Sequence, residues 1–329
     1  MIIVLNLQQM PHHTSNVHDL NYRYPIKRMF ESSFKGGKLV NIDFSNLEFR
    51  VLGLLTQEDS MTTAFLTGKD IHKDNASLAF DTPYEDVTKQ QRQAAKAIGF
   101  GLVYGKGTPA LAEDLGETEA EAQAKIDKFF ASKPHVEAFI NGTHEFVKQN
   151  GYVETAIGFR RSLEGINSTE FGTKSQAERQ SVNTIIQGTG ASLTNTALFL
   201  ICDYLRVHHL KSKLALTVHD SVLIDCSPDE LPEVPQAVLT IMTNLPFKWL
   251  FMQHEGKLIR YPIDAEMEIG NNYNDMVDYD PEDVAKFPSL DSYIKYYNTL
   301  NQLSDLYESK ELAEDKYKVA KEKLENLHP

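Results

Sequence analysis

Arg92, Lys96, Phe100 and Tyr104 recur at steps of four in the run Arg92-Gln-Ala-Ala-Lys96-Ala-Ile-Gly-Phe100-Gly-Leu-Val-Tyr104-Gly105. With about 3.6 residues per helical turn, such steps drift slowly across one side, so cations and aromatic rings share a face. Cations hold phosphates and rings stack on bases, a combination suited to a nucleoside triphosphate. A surface helix with a basic edge and core-packed rings would show the same pattern. Asp43 and Asp220 offer a second chemistry, since two aspartates from separate strands could share metal ions. Singly, Asp43 also reads as a helix N-cap and Asp220 as a turn residue. Arg179, Asn183 and Gln187 repeat the step of four as a polar stripe, either a solvated helix face or a surface that follows a nucleic-acid groove or backbone.

These groups need rigid carriers. Thr88 and Gln91 form a capping box ahead of the basic run, and Gly105, Gly107 and Pro109 supply stop signals behind it, which predicts a helix about four turns long. Lys38-Leu-Val-Asn-Ile-Asp43 predicts a short apolar strand ending in a carboxylate, and Phe44 to Arg50 opens an apolar helix through Val51, Leu52, Leu54 and Leu55. Leu214–Val218 and Val222–Cys226 flank His219-Asp220-Ser221, the pattern of a hairpin with Asp220 at its tip. The chain has no internal repeat and no Gly/Ser linker, which predicts interleaved rather than beaded domains. After Asp280, Tyr293, Tyr297, Leu300, Leu303 and Tyr307 recur at helical spacing, and residues 308–325 are dense in charge. One or two amphipathic helices with a solvated charged face are expected there.

A length of 329 residues allows about two domains, and 41% hydrophobic residues suit a soluble globular protein. The net charge of -13 means that any nucleic-acid contact must rely on a local basic groove. Cys202 and Cys226 fit neither a disulfide framework nor a zinc spacing, which favours a reducing interior. No uninterrupted apolar stretch is long enough to span a bilayer, and Met1–Leu7 lacks a basic flank or a cleavage signal. An intracellular, cytoplasmic protein with no membrane partner is expected.

Together the segments resemble the A, B and C motifs of family A DNA polymerases, the DNA polymerase I group, in the right order. Asp43-x-Ser45-x-x-Glu48-x-Arg50 is similar to motif A, Arg92-x3-Lys96-x3-Phe100-Gly-x2-Tyr104-Gly105 to motif B, and His219-Asp220 to motif C. Gly68-Lys-Asp-Ile-His72, Glu178-Arg179-x3-Asn183-x3-Gln187-Gly188-Thr189, Pro262 through Asn272, and the opening Leu5-Asn-Leu-Gln-Gln-Met-Pro11 agree. The resemblance implies an α+β right-hand fold with an antiparallel palm sheet and helical fingers. Its expected division is palm 1–56, fingers 57–176, palm 177–280 with the motif C hairpin, and a helical charged tail 281–329.

The implied function is template-directed DNA synthesis, in which a primer 3′-hydroxyl attacks a dNTP with loss of pyrophosphate. By the same resemblance, Asp43 and Asp220 hold two Mg2+ ions with the Phe44 carbonyl as an extra ligand. Arg92, Lys96 and His72 contact the triphosphate, with Lys96 also the proton donor to pyrophosphate. For His72 alone, a satisfied histidine at a helix start is the competing reading. Glu48 is the steric gate under the sugar, Phe100 packs on the incoming nucleotide, and Tyr104 lies at the template position. Arg179, Asn183 and Gln187 contact DNA, and His219 lies near the primer end. Primer-template DNA and dNTPs are the implied partners.

Two departures stand out. Ser221 occupies the position where the family carries a Glu after the motif C Asp. Only Met1–Val4 precede the palm entry, so no thumb or exonuclease is expected in this chain. That suggests either the second half of a split phage polymerase, with a second polypeptide supplying the thumb and host cytoplasm as location, or a fragment of a longer chain. The rival readings are a single-subunit RNA polymerase, which Glu48 argues against, and a catalytically silent DNA-binding or assembly subunit.

Overall fold

A computed structural model describes residues 16–327. The opening Leu5–Pro11 and the apolar Met1–Leu7 lie outside the described residues. The strands, in chain order, are β1 (Lys38–Phe44), β2 (Tyr152–Glu154), β3 (Arg160–Ser162), β4 (Lys213–Val218), β5 (Ser221–Cys226), β6 (Phe251–His254), β7 (Lys257–Arg260), β8 (Ala265–Gly270) and β9 (Met276–Asp278). The chain separates into two compact units, one of residues 1–45, 196–244 and 264–329, the other of residues 46–195 and 245–263.

The first unit is built on a five-stranded sheet in the order β4-β5-β1-β8-β9, with every neighbouring pair antiparallel. β1 sits at its centre because it is apolar and β-branched: Leu39, Val40, Ile42 and Phe44 are each at most 2% exposed. The register puts Asp43 opposite Ser221 on β5 and opposite Glu266 on β8. Two pairs along, Asn41 lies opposite Leu223 and Glu268. The helix Val234–Thr243 covers β1 and β8 with Val234, Val238 and Met242, all buried.

The C-terminal stretch forms two helices, Leu290–Glu308 and Glu314–Leu327. The first is packed rather than appended. Tyr293 and Ile294 are buried, and the Tyr293 hydroxyl donates to the Asp278 carbonyl at 2.6 Å. The second is held against it by the stacked rings of Tyr307 and Tyr317, 4.7 Å apart.

Helices dominate the second unit. The basic run forms the helix Lys89–Val103, and the capping box is present: Gln91 N donates to Thr88 Oγ1 at 3.2 Å and Thr88 N to Gln91 Oε1 at 2.9 Å. The helix Leu47–Thr56 belongs to this unit, although it follows motif A directly. Its side chains explain why: the Phe49 ring meets His72 and Phe100, and the Arg50 guanidinium covers the Phe65 ring and donates to the Pro262 carbonyl at 2.6 Å. The grouping therefore runs from 46 to 195 and takes in the β6–β7 hairpin.

The helix Phe171–Val207 is long and apolar enough to cross a membrane by length and composition. Part of its apolar surface is packed inside, whereas Phe171, Phe199 and Val207 are exposed. Val182, Ile186, Leu193, Ala197 and Ile201 are at most 1% exposed, as befits a core helix.

Candidate active site

In the first unit the sheet brings the two predicted aspartates together. Asp43 stands next to the end of β1, and Asp220 occupies the two-residue β4–β5 loop beside His219, whose φ of 56° provides the left-handed step of a tight hairpin. Asp43 is the one exposed position of β1, and its carboxyl is hydrogen-bonded to that of Asp220. Lost hydration first, then the charge of Asp220, and then Glu268 and Glu266, push Asp43 up to about 7. This titration belongs to the coupled pair.

Glu266 and Glu268 are members of the cluster that sequence reasoning missed. Their alternation in Ala265-Glu-Met-Glu268 marks a strand with one polar face, but only the β1–β8 register aims that face at Asp43. Glu266 accepts from the Ser45 hydroxyl at 2.9 Å. Ser221 does not replace a carboxylate; its hydroxyl donates to the Val218 carbonyl at 2.9 Å and helps close the hairpin. The Phe44 side chain is buried, while its backbone pairs with Ala265. His219 is exposed at the hairpin tip.

Two carboxyls held this close are a donor set suited to a hard divalent cation, whose charge would offset their repulsion. Among the described residues, no three His, Cys, Asp or Glu side chains come together as a ready-made metal centre. Any cation held here therefore needs further oxygen ligands from backbone, water or substrate.

In the second unit, residues from three separate motifs converge on Glu48. Tyr104 donates its hydroxyl to Oε2 of Glu48, and Gln187 Nε2 donates to Oε1 at 3.1 Å. Burial first, and then the Glu48 hydrogen bond, hold the Tyr104 hydroxyl well above its usual range. Glu48 is thus oriented by two donors on different helices.

The cations behave differently from one another. Arg92 Nε donates to Asp70 Oδ2 at 2.5 Å, and Asp70 also caps the helix Ile71–Ala79 by accepting from His72 N and Lys73 N. Burial alone would raise Asp70, yet Arg92 and these N–H groups outweigh it and hold the carboxyl below its usual value. Lys96 is exposed, with no hydrogen bond or ion pair to another described residue.

His72, expected at the triphosphate, is placed inside an aromatic cluster. A triphosphate contact needs an accessible imidazole, but His72 is 1% exposed and packs edge-on against Phe49 at 5.0 Å. Neither ring nitrogen has a partner among the described residues. Burial and then the Lys96 charge push its pKa down to about 4, so the ring is neutral. Phe100 joins this aromatic cluster, 4.9 Å from Phe49 and 6.2 Å from Tyr104.

The polar stripe lies where the period places it: Arg179 and Gln187 are exposed, Asn183 is half-buried, and Val182 and Ile186 face the core. Gly105, at φ 74°, explains how the chain leaves the basic helix against this stripe. A Cβ there would come within 2.8 Å of Arg179 Cγ, so glycine satisfies both the left-handed turn and the close approach.

The sequence matches the family model for DNA polymerase family A over residues 3–275. It is 37% identical over 316 residues to the DNA polymerase of Bacillus phage SP01, covering 94% of this chain and 34% of that protein. To DNA polymerase I of Geobacillus stearothermophilus it is 35% identical over 227 residues, 67% of this chain and 26% of the relative. Among solved structures, the POL domain of Pol1 from M. smegmatis, in complex with DNA primer-template and dNTP, superposes with a TM-score of 0.72 at 27% identity. That match covers 82% of this chain and 44% of the other. The chain thus spans about a third or less of the length of these curated relatives.

Proposed function

This chain belongs to DNA polymerase family A, and from that premise we propose that it carries out template-directed DNA synthesis from dNTPs on a primer-template. The primer 3′-oxygen bonds to the α-phosphorus of the dNTP, the bond to the β-phosphate bridge breaks, and pyrophosphate leaves. The hydroxyl proton is lost to water. Positioning and charge stabilisation carry most of such a transfer.

The observation that carries the reading is the Asp43–Asp220 pair at the end of β1, where burial and the neighbouring Asp220 charge push Asp43 up to about 7. Asp43 and Asp220 would hold two Mg2+ ions with the Phe44 carbonyl as a further oxygen ligand. Ions held there would supply the charge that lowers the pKa of the primer hydroxyl and offsets that of the triphosphate. Lys96, exposed and unpaired among the described residues, takes the phosphates and gives a proton to pyrophosphate. Arg92 joins it by exchanging Asp70 for phosphate. Glu48, fixed by Tyr104 and Gln187, excludes a 2′-hydroxyl; Phe100 packs on the nucleotide and Tyr104 marks the template position. Arg179, Asn183, Gln187 and His219 contact DNA, as a local polar surface on an acidic molecule. His72 would join Lys96 and Arg92 at the triphosphate only by leaving its packing against Phe49 and Phe100. A reducing, cytoplasmic setting fits the unpaired Cys202 and Cys226.

A second reading, a silent DNA-binding subunit, is favoured by one observation: Arg92 is neutralised by Asp70. Primer extension by the full chain in Mg2+, with dNTPs and rNTPs in parallel, separates the readings. Extension with dNTPs supports DNA synthesis, and preferential extension with rNTPs supports an RNA polymerase. DNA binding with neither leaves the silent subunit.

A further inference from the structure

A cavity of about 1030 Å³ in the first unit adjoins the carboxylate cluster, sharing Glu268 with it, and the proposed synthesis assigns it no ligand. Its walls are the segment around Val17–Arg28, the β1–β8 face, and the helix Leu290–Glu308, which lies beyond the family match that ends at residue 275. Asn41 belongs to its floor. Side chains alternate along a strand, so Asn41 points to the same face as Asp43, about 7 Å away. Tyr273 also lines the cavity, and its hydroxyl hydrogen-bonds Ser221 beside the motif C turn.

The chemistry of the wall is specific. Three cations, Arg23, Lys27 and Arg28, are balanced by Glu268, Asp275 and Asp305, and Arg28 is bidentate on Asp275 at 2.8 and 2.9 Å. A phosphate therefore finds no net attraction there. What remains is the amides of Asn21, Asn41, Asn301 and Gln302, together with the ring of Tyr24 and the face of Tyr273 that Lys27 does not cover. Amides pair with the donor and acceptor edges of a base, and tyrosines offer it a stacking surface. The wall is preformed, because Asn274 Nδ2 donates to Asp275 Oδ1 and Asn298 Nδ2 to the Asp275 carbonyl. One group asks for a ligand. Asn41 is 9% exposed and donates Nδ2 to Glu268 Oε2 at 3.2 Å, while its Oδ1 has no partner among the described residues. A buried amide oxygen left unpaired is costly, and a donor on a bound base would relieve it.

We propose that this cavity binds a nucleoside unit, a base with its sugar, either free or as one residue of a single strand. The volume is at the upper end of the ~300–1,000 Å³ usual for small-ligand sites, enough for such a unit with water. The C-terminal helix, through Asn301 and Gln302, supplies its outer wall.

The test uses the full chain and a trideoxynucleotide carrying 5-iododeoxyuridine, photo-cross-linked and mapped by mass spectrometry. Adducts on Tyr24 or Tyr273 are expected, with yield at least fivefold lower in the exposed double variant Asn301→Ala/Gln302→Ala. Excess trithymidylate should suppress them, and an abasic trimer should not. Adducts only outside the cavity walls, an unchanged yield in the double variant, or equal suppression by the abasic trimer would overturn the proposal. Free 5-iododeoxyuridine giving the same adducts identifies the free nucleoside as ligand; adducts from the trimer alone identify a strand. Binding is read without incorporation, so failure here leaves the proposed synthesis untouched.

Discussion

The carboxylate cluster at the end of β1 and the basic-aromatic face of the helix Lys89–Val103 are opposites in how their charges are met. At the sheet, Asp43 and Asp220 are hydrogen-bonded to each other with Glu266 and Glu268 near them, and like charge accumulates without a cation. On the helical side the polar groups have found one another: Arg92 holds Asp70, Tyr104 and Gln187 hold Glu48, and His72 is sealed under aromatic rings. Strand register and the short β4–β5 loop explain the first, since cross-strand neighbours and a tight turn cannot swing apart. Long side chains on helices explain the second, since they have the reach to pair locally. The sheet thus presents a deficit that a cation fills, whereas the helix presents contacts that a ligand must exchange.

If that contrast is right, the largest effect lies at the sheet. Asp43→Asn or Asp220→Asn should lower single-turnover dNTP incorporation at least about a thousandfold, the loss of several kcal/mol of charge stabilisation, with primer-template affinity retained. Near-normal incorporation by either variant at saturating Mg2+ removes the cluster from the chemistry.

The next effect is on stability, and it sharpens the helical side. His72 has its folded pKa depressed to about 4 from an unfolded 6.5, so only the unfolded chain gains a proton between those values. Stability is then fully present above about pH 6.5 and falls as pH drops toward 4, by roughly 3 kcal/mol in all. His72→Phe should flatten the His72 part of this acid slope in denaturant titrations across that window. An unchanged slope would mean that the imidazole is hydrated in solution.

Much of the positioning was legible in the residues. The capping box at Thr88 and Gln91, the apolar run through β1 and the turn at His219-Asp220 are local signals, each read from neighbours in sequence. The burial of His72 was not, because it depends on Phe49 and Phe100 arriving from two other helices. Asp70 was noted as part of a motif, but its bond to Arg92 spans 22 residues and no short-range rule predicts it. Glu266 and Glu268 show strand alternation, yet their proximity to Asp43 is a matter of register across the sheet. The same holds for the extent of the second unit. Leu47–Thr56 follows motif A, but the partners of Phe49 and Arg50 decide where it belongs.

Smaller effects probe the exchangeable contacts. Glu48→Ala should raise the ratio of ribonucleotide to deoxynucleotide incorporation by about tenfold or more, about 1.4 kcal/mol, measured in mixed-nucleotide competition. An unchanged ratio would separate Glu48 from sugar selection. Smallest is Asp70→Asn, which keeps a good helix cap while releasing Arg92. It should lower KM for dNTP a few-fold with little change in Tm; a raised KM would show that the Arg92–Asp70 pair positions the cation rather than restrains it.

The account depends most on the claim that the Asp43–Asp220 pair is set up to receive a divalent cation. Carbon-detected NMR of selectively labelled aspartate carboxyls, with Asp43→Asn for assignment, follows its titration with and without Mg2+. The account predicts a carboxyl titrating near pH 7 without the ion and well below the usual carboxylate range with it. A carboxyl that titrates in the ordinary range and ignores Mg2+ would contradict it.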